Sequence, residues 1–344
     1  MAYQQPLSTH ILVTGAAGLI GSAVTVRLNE LGYHNITITD HLGQSEKWKN
    51  LRAISYKRYF EKDQFEEMLD NGKAPDDIQV IFHLGACSST TERDASYLAK
   101  NNYNYTVKLA DFAANHGIRM IYASSAATYG NGENGFSDNE ALVPNLRPLN
   151  MYGHSKQMFD QYLLGKGLLC TPAPSGASFV GMKFSNVFGP NEYHKGNMRS
   201  MVMRAFEQIS ENGTVGLFKS YRKEYADGEQ VRDFLYVKDA ADMAVFFMNG
   251  GAACNGLYNI GFGATRSWNE LARAVFAAMK RPVDIRYIEM PEGLRDRYQY
   301  YTCLDITKIR KAGYTRQLTT LEAAVEDYVR YLQTEHHLGD RIRD

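Results

Sequence analysis

The stretch Ile11-Leu12-Val13-Thr14-Gly15-Ala16-Ala17-Gly18-Leu19-Ile20-Gly21 reads as a strand, a tight turn and the first residues of a helix. In that setting each glycine has a separate use. One permits the turn, another lets a pyrophosphate approach the backbone, and the last lets helix and strand pack closely. Phosphates then sit at the helix N-terminus, among backbone N–H groups that have no partner inside the helix. Gly15, Gly18, Leu19, Ile20 and Gly21 are therefore the candidate phosphate cradle.

Outward from this turn, short apolar runs alternate with amphipathic stretches, the pattern of β-α-β units and a parallel sheet. Expected strands are Ile11–Val13, Ile36–Thr39, Val80–His83, Met120–Ala123 and Phe179–Lys183. Expected helices between them are Ile20–Leu31, Asp63–Asn71, Asp94–His116 and Tyr152–Gly165. The segment Gly130–Leu149, rich in Gly, Asn and Pro, is expected to lie as a loop over the site. Beyond Phe184, helical runs (Ser200–Asn212, Asp239–Met248, Ser267–Met279, Leu321–Gln333) alternate with isolated strands and polar segments. The fold class is α/β: a Rossmann-type, doubly wound parallel sheet over residues 1–184, then a smaller α/β lobe, mainly substrate-binding, over 185–344. The chain is expected to cross between the two more than once.

Asp40 ends the second strand, where an acidic side chain can bind a ribose 2′-hydroxyl and favour NAD. His41 follows it, and Lys47 and Lys62 are close enough in sequence to reach a 2′-phosphate, so NAD and NADP both stay open. The run His83-Leu84-Gly85-Ala86-Cys87-Ser88 ends a later strand, and its small residues let the chain pass beside adenine and ribose. Asn101, on the helix after it, is the candidate for satisfying backbone groups there.

Ser124 and Ser125 follow Met120–Ala123 at the carboxyl edge of the sheet, where open α/β folds bind ligands. Tyr152 and Lys156, in Met151-Tyr152-Gly153-His154-Ser155-Lys156, lie four apart and stack on one helix face. A phenol beside an ammonium and an oxidised nicotinamide loses its proton more easily than free tyrosine, at roughly pH 10. Ser125 is assigned to the substrate oxygen, Tyr152 to proton transfer, and Lys156 to the nicotinamide ribose and to the Tyr152 pKa. Lys195, in the polar cluster His194-Lys195-Gly196-Asn197, is a second base if it faces the same pocket. Arg204, Arg232 and Arg297 are candidates for clamping a diphosphate, since guanidinium forks suit phosphate oxygens.

Composition narrows the classes. Lys+Arg and Asp+Glu are equal at 38 each, which gives no footprint for nucleic acid or for an anionic membrane surface. The four cysteines, Cys87, Cys170, Cys254 and Cys303, are scattered without a C-x-x-C pair, so reduced thiols and no structural metal are expected. Met1–His10 lacks a basic segment followed by an apolar core, and no window approaches the roughly 18 apolar residues of a membrane span. A soluble cytoplasmic protein is the expectation.

Four segments are more particular: His83–Thr91 (HLGACSSTT), Tyr122–Gly130 (YASSAATYG), Pro148–Lys156 (PLNMYGHSK) and Asn186–Gly196 (NVFGPNEYHKG). Together with the glycine turn they resemble the ADP-L-glycero-D-manno-heptose 6-epimerase family of extended short-chain dehydrogenases/reductases. The likeness runs from about His10 to Tyr331. It implies a tightly held NADP, with Lys47 and Lys62 near the 2′-phosphate, His41 beside Asp40, and Val187 among the cofactor contacts. It implies that Tyr152 and Lys195 are the two acid–base residues. It also implies an ADP-heptose substrate touched by Asn186, Asn197, Arg204, Phe218, Lys219, Ser220, Tyr221, Arg232 and Tyr298. Members of that family are described as homopentamers whose product feeds the lipopolysaccharide inner core. Other readings are a UDP-hexose 4-epimerase, a catalytically silent dinucleotide-binding protein, and a 4,6-dehydratase. The dehydratase is disfavoured because Ala126-Ala127 stand where it needs an acidic pair.

Overall fold

In the computed structural model, which describes residues 4–295 and 298–340, the apolar run at the glycine turn is strand β1 (Ile11–Thr14), buried along its whole length. It is the hub of a seven-stranded, wholly parallel sheet. The other members are β2 (Ile36–Asp40), β3 (Arg58–Glu61), β4 (Val80–His83), β5 (Arg119–Ser125), β6 (Ser178–Phe184) and β11 (Gly256–Ile260). Their order is β11-β6-β5-β4-β1-β2-β3. It reverses direction between β1 and β4, and at such a switch point a crevice opens outside the strands' carboxyl ends.

Inner strands read as continuous apolar runs because helices cover both faces. Side chains alternate along β1: Ile11 and Val13 join one buried cluster and Leu12 the other. On the first face, α1 (Leu19–Glu30) packs against α7 (Val237–Phe246). On the second lie α2 (Lys62–Asp70), α4 (Tyr105–His116) and α5 (Met151–Gly165), through Phe65, Leu109, Phe159 and Leu163.

Two sheet strands have no counterpart among the expected ones. β3 is a polar edge strand, Arg-Tyr-Phe-Glu, with no apolar run to announce it. β11 arrives from far down the chain and pairs with β6. With α7 it means that the segment after residue 184 supplies part of the central layer as well as the second lobe.

The second lobe is built from short pieces. β7 (Asn186–Phe188) pairs with β10 (Phe234–Tyr236), β9 (Val231–Arg232) with β12 (Arg266–Ser267), and β8 (Val215–Phe218) with β13 (Ile285–Ile288). Around them pack α6 (Met201–Asn212), α8 (Trp268–Ala278) and α11 (Leu321–Thr334), with short helices α9 (Glu292–Arg295) and α10 (Thr307–Lys311). Ser200, Ser267 and Thr320 cap α6, α8 and α11 with their hydroxyls, and Glu270 completes a capping box with Ser267.

The expected helix Asp94–His116 is interrupted. It forms as α3 (Ala95–Leu98), a π-helical stretch Ala99–Asn104, and then α4. The Gly130–Leu149 segment also departs from expectation. Its middle packs on β11, where Asp138 accepts from the Asn259 N–H (2.8 Å) and Glu140 from the Leu257 N–H (2.7 Å). Only its ends, Gly130 and Leu149, line the cleft.

Candidate active site

A cleft of about 1210 Å³ runs along the carboxyl ends of the strands and under the second lobe. Its floor is the glycine turn. A Cβ on Gly15 (φ +66°) would lie 2.5 Å from Gly85 Cα, and one on Gly21 would lie 2.0 Å from the Gly15 oxygen. Only glycine allows β1, α1 and the turn after β4 to close up in this way. Gly18 stands at the start of α1 without a side-chain cap, and Gly18, Leu19 and Ile20 line the cleft. A long groove with a helix N-terminus at its floor and no side chain in the way fits a dinucleotide.

Asp40 is buried and already engaged. Its carboxylate accepts from the Ala17 N–H (2.7 Å), the His41 N–H (2.7 Å) and the Lys47 ammonium (2.5 Å). Lys47 lines the cleft with Asp40. Lys62 does not: it pairs with Glu66 (3.0 Å) and Asp63 (3.2 Å) and sits over the Tyr105 ring. His41 is exposed, 3.7 Å from Glu61, and is not part of the lining.

Leu84, Gly85, Ala86 and Ser88 line the cleft, as does Val187; Cys87 does not. The backbone at Cys87 is held by Asn102, not by Asn101. The Asn102 amide accepts from the Cys87 N–H (2.8 Å) and donates to its carbonyl (2.9 Å) and to the Ser155 hydroxyl (3.0 Å). Asn101 donates to the Tyr97 carbonyl and lies outside the lining. The π-helical stretch adds a residue to the turn, and Asn102 faces the sheet from within it.

Ser125 ends β5, and α5 starts close by. The Asn150 side chain caps α5 by accepting from the Gly153 N–H (2.8 Å), and a Cβ on Gly153 would lie 2.7 Å from the Ala127 carbonyl. That close approach brings the Tyr152 phenol near the Ser125 hydroxyl. Burial pushes the Tyr152 phenol up, and the neighbouring Ser125 hydroxyl opposes that shift in part. Lys156 is not the source of this opposition. Its ammonium donates to the Ala123 carbonyl (2.8 Å), and burial lowers it to about 8 against the opposing charge of Asp160. The expected lowering of Tyr152 by its neighbour on the helix is thus not part of this geometry.

Lys195 lines the same cleft from the turn Tyr193–Met198. Burial lowers its ammonium, and the Glu192 carboxylate opposes that shift. Glu192 is fully buried, accepting from the Ser200 N–H and hydroxyl (2.6 Å each) at the start of α6. Asn191 holds the same turn to α1 through the Ser22 hydroxyl (2.9 Å), with its own backbone left-handed (φ +80°). His194 beside it is pushed down to about 4, by burial first and then by Lys47 and Lys195.

Of the expected substrate contacts, Asn186, Asn197, Arg204, Phe218, Arg232 and Tyr298 line the cleft. Arg232 is buried between the rings of Trp268 (5.5 Å) and Tyr298 (5.2 Å) and donates to the Val231 and Gln299 carbonyls. Trp268 went unnoticed in the sequence, although it is one of only two tryptophans in the chain. Lys219, Ser220 and Tyr221 lie outside the lining. Lys219 and Tyr221 both engage Glu289, and the Ser220 hydroxyl donates to the Arg222 carbonyl. Arg297 falls outside the described residues.

Comparisons with known proteins agree on one lineage. Residues 11–261 match the model of the NAD dependent epimerase/dehydratase family. The chain is 47% identical to an ADP-L-glycero-D-manno-heptose-6-epimerase of Nitratidesulfovibrio vulgaris, over 93% of this chain and 96% of that protein. It is 45% identical to one of Fusobacterium nucleatum, over 94% and 98%. Among solved structures, the ADP-L-glycero-D-manno-heptose-6-epimerase of Helicobacter pylori superimposes with a TM-score of 0.78 at 26% identity, covering 97% of this chain and 99% of that one. A UDP-glucose 4-epimerase of Thermus thermophilus, solved with NAD, shares the fold at TM-score 0.71 and 22% identity, covering 94% and 98%. The chain belongs to the NAD dependent epimerase/dehydratase family, as one of its epimerases acting with a nicotinamide dinucleotide.

Proposed function

We propose that the protein inverts C6″ of ADP-D-glycero-D-manno-heptose to give the L-glycero epimer, through a transient ketone. The observation that carries this reading is that Tyr152 and Lys195, from different elements, line one cleft with the glycine turn. Inversion through a ketone requires the substrate oxygen to lose a proton in one orientation of the sugar and regain one in the other, and two acid–base groups from different elements supply this better than one. When bound, the nicotinamide accepts a hydride from C6″ and returns it. The Ser125 hydroxyl holds the substrate oxygen, and one of Tyr152 and Lys195 takes the hydroxyl proton as the C–H bond breaks. The sugar then turns within the cleft, and the other residue delivers a proton to the oxygen as C–H re-forms on the opposite face. No net redox change occurs, so the cofactor stays bound through turnover.

Arg232, flanked by Trp268 and Tyr298, supports diphosphate binding: the Val231 and Gln299 carbonyls fix its guanidinium at the cleft lining, and the N–H donors left over suit phosphate oxygens. NADP is the proposed cofactor, on the strength of Lys47 at the cleft wall beside Asp40. Assembly as a homopentamer in the cytoplasm, and supply of the lipopolysaccharide inner core, are carried over from the family resemblance.

Offering the purified protein ADP-D-glycero-D-manno-heptose and, separately, UDP-galactose tests the substrate. Epimerisation of the first alone is the expected result. Conversion of UDP-galactose alone would favour a hexose 4-epimerase, and conversion of neither, with NADP bound, would favour a silent binding protein.

A further inference from the structure

Beneath the catalytic serine lies a buried ion pair with no part in the scheme above. Asp160, one turn after Lys156 on α5, is 0% exposed, and Lys183 on β6 is 1% exposed. The Asp160 carboxylate accepts from the Lys183 ammonium (2.7 Å), the Ser124 hydroxyl (2.8 Å) and the Tyr122 hydroxyl (2.9 Å). Lys183 donates onward to the Thr128 hydroxyl (2.7 Å), and Thr128 donates to the Ser125 carbonyl (2.8 Å). One salt bridge thereby ties α5, β5, β6 and the turn Ala126–Tyr129 together, and these segments carry or flank Ser125, Tyr152 and Lys156. Stability alone does not explain such a pair, since apolar residues of the same volume serve a core as well or better.

We propose that Asp160 and Lys183 are a positioning pair for the epimerisation. They hold Ser125 in register with Tyr152, through Ser124 on one side and Thr128 on the other, and the Asp160 charge supports the Lys156 ammonium. This rests on the roles given to Tyr152 and Lys156 above. The groups facing Lys156 are Asp160 and Tyr152 on its own helix, Cys87 from the turn after β4, and His83 at the end of β4. His83 is held neutral by burial, and Cys87 opposes the loss of the ammonium's proton only as a thiolate. Asp160 is the charge that does most to hold the Lys156 ammonium protonated.

The test is the double variant Asp160→Leu/Lys183→Met, which removes both charges together and strands neither. The expected result is a folded protein that retains its dinucleotide, with kcat at least about tenfold lower and the alkaline limb of the kcat/KM profile lowered by about one pH unit. Asp160→Asn, which removes the charge alone, should move the alkaline limb in the same direction, and it gives the same readouts if the double variant does not fold. Lys183→Arg, which keeps the pair, should restore most of the turnover. A folded double variant with the parent's kcat and pH profile overturns the proposal. If Tyr152→Phe and Lys156→Met are themselves without effect, it is the reaction scheme that fails, whatever the double variant does.

Discussion

At the scale of single residues, the acid–base pair depends on how each charge is housed. Lys156 is buried, and its ammonium is lowered to about 8. A lysine whose pKa falls by burial keeps its charge below that value and loses it above. If the ammonium is needed for ribose binding, kcat/KM falls as the pH rises through about 8. Lys156→Arg, which stays protonated throughout, should flatten that alkaline limb even at a reduced rate. A pH–rate profile from about 6 to 10 checks both. Tyr152→Phe removes the phenol while leaving the glycine turn and Lys47 in place. Turnover should drop by about 10²-fold or more with dinucleotide binding intact, as read by steady-state kinetics and cofactor fluorescence. The sequence spacing of Tyr152 and Lys156 was enough to put them on one helix face. It could not tell that Lys156 would donate to the Ala123 carbonyl, because that acceptor comes from a strand remote in sequence.

At the scale of elements, β1, β4 and α4 are stitched together by one neutral histidine. His83 bonds Thr14 (2.7 Å) on one ring nitrogen and Thr106 (2.8 Å) on the other, and burial, aided by Lys156, pushes it down to about 3. Below its unfolded value of about 6.5 the unfolded chain binds more protons than the folded one. This contribution is therefore complete above pH 6.5 and is lost as the pH falls, by about 1.4 kcal/mol per unit until near pH 3. Urea unfolding between pH 7 and 5 should show a steeper loss of stability in the parent than in His83→Gln; equal slopes would remove His83 from the acid response. Elements with strong periodicity were legible: α1, α2, α5, α6, α8 and α11 fall within a residue or so of their expected bounds. β3 was not, since an edge strand needs no apolar run. Nor was the break before α4, because Asn102 is drawn out of helical register by a contact with Cys87 that only the folded sheet creates.

At the scale of the whole molecule, the cleft joins a central sheet to a lobe whose strands pair only in twos. The dinucleotide half was readable because its motif is local: a strand, three glycines and a helix within eleven residues. The sugar-nucleotide half was readable only piecemeal, since Arg232, Trp268 and Tyr298 are brought together by tertiary packing. Lys219 and Tyr221 turn instead to Glu289, away from the cleft. The measurement that bears most directly on the proposed chemistry uses ADP-D-glycero-D-manno-heptose carrying deuterium at C6″, turned over in ordinary water. Hydride transfer to and from a retained nicotinamide predicts an inverted product that keeps its deuterium, formed more slowly than from the protiated sugar. Product that has exchanged its deuterium for solvent hydrogen would contradict it, because the carbon would then have been inverted by proton removal and return.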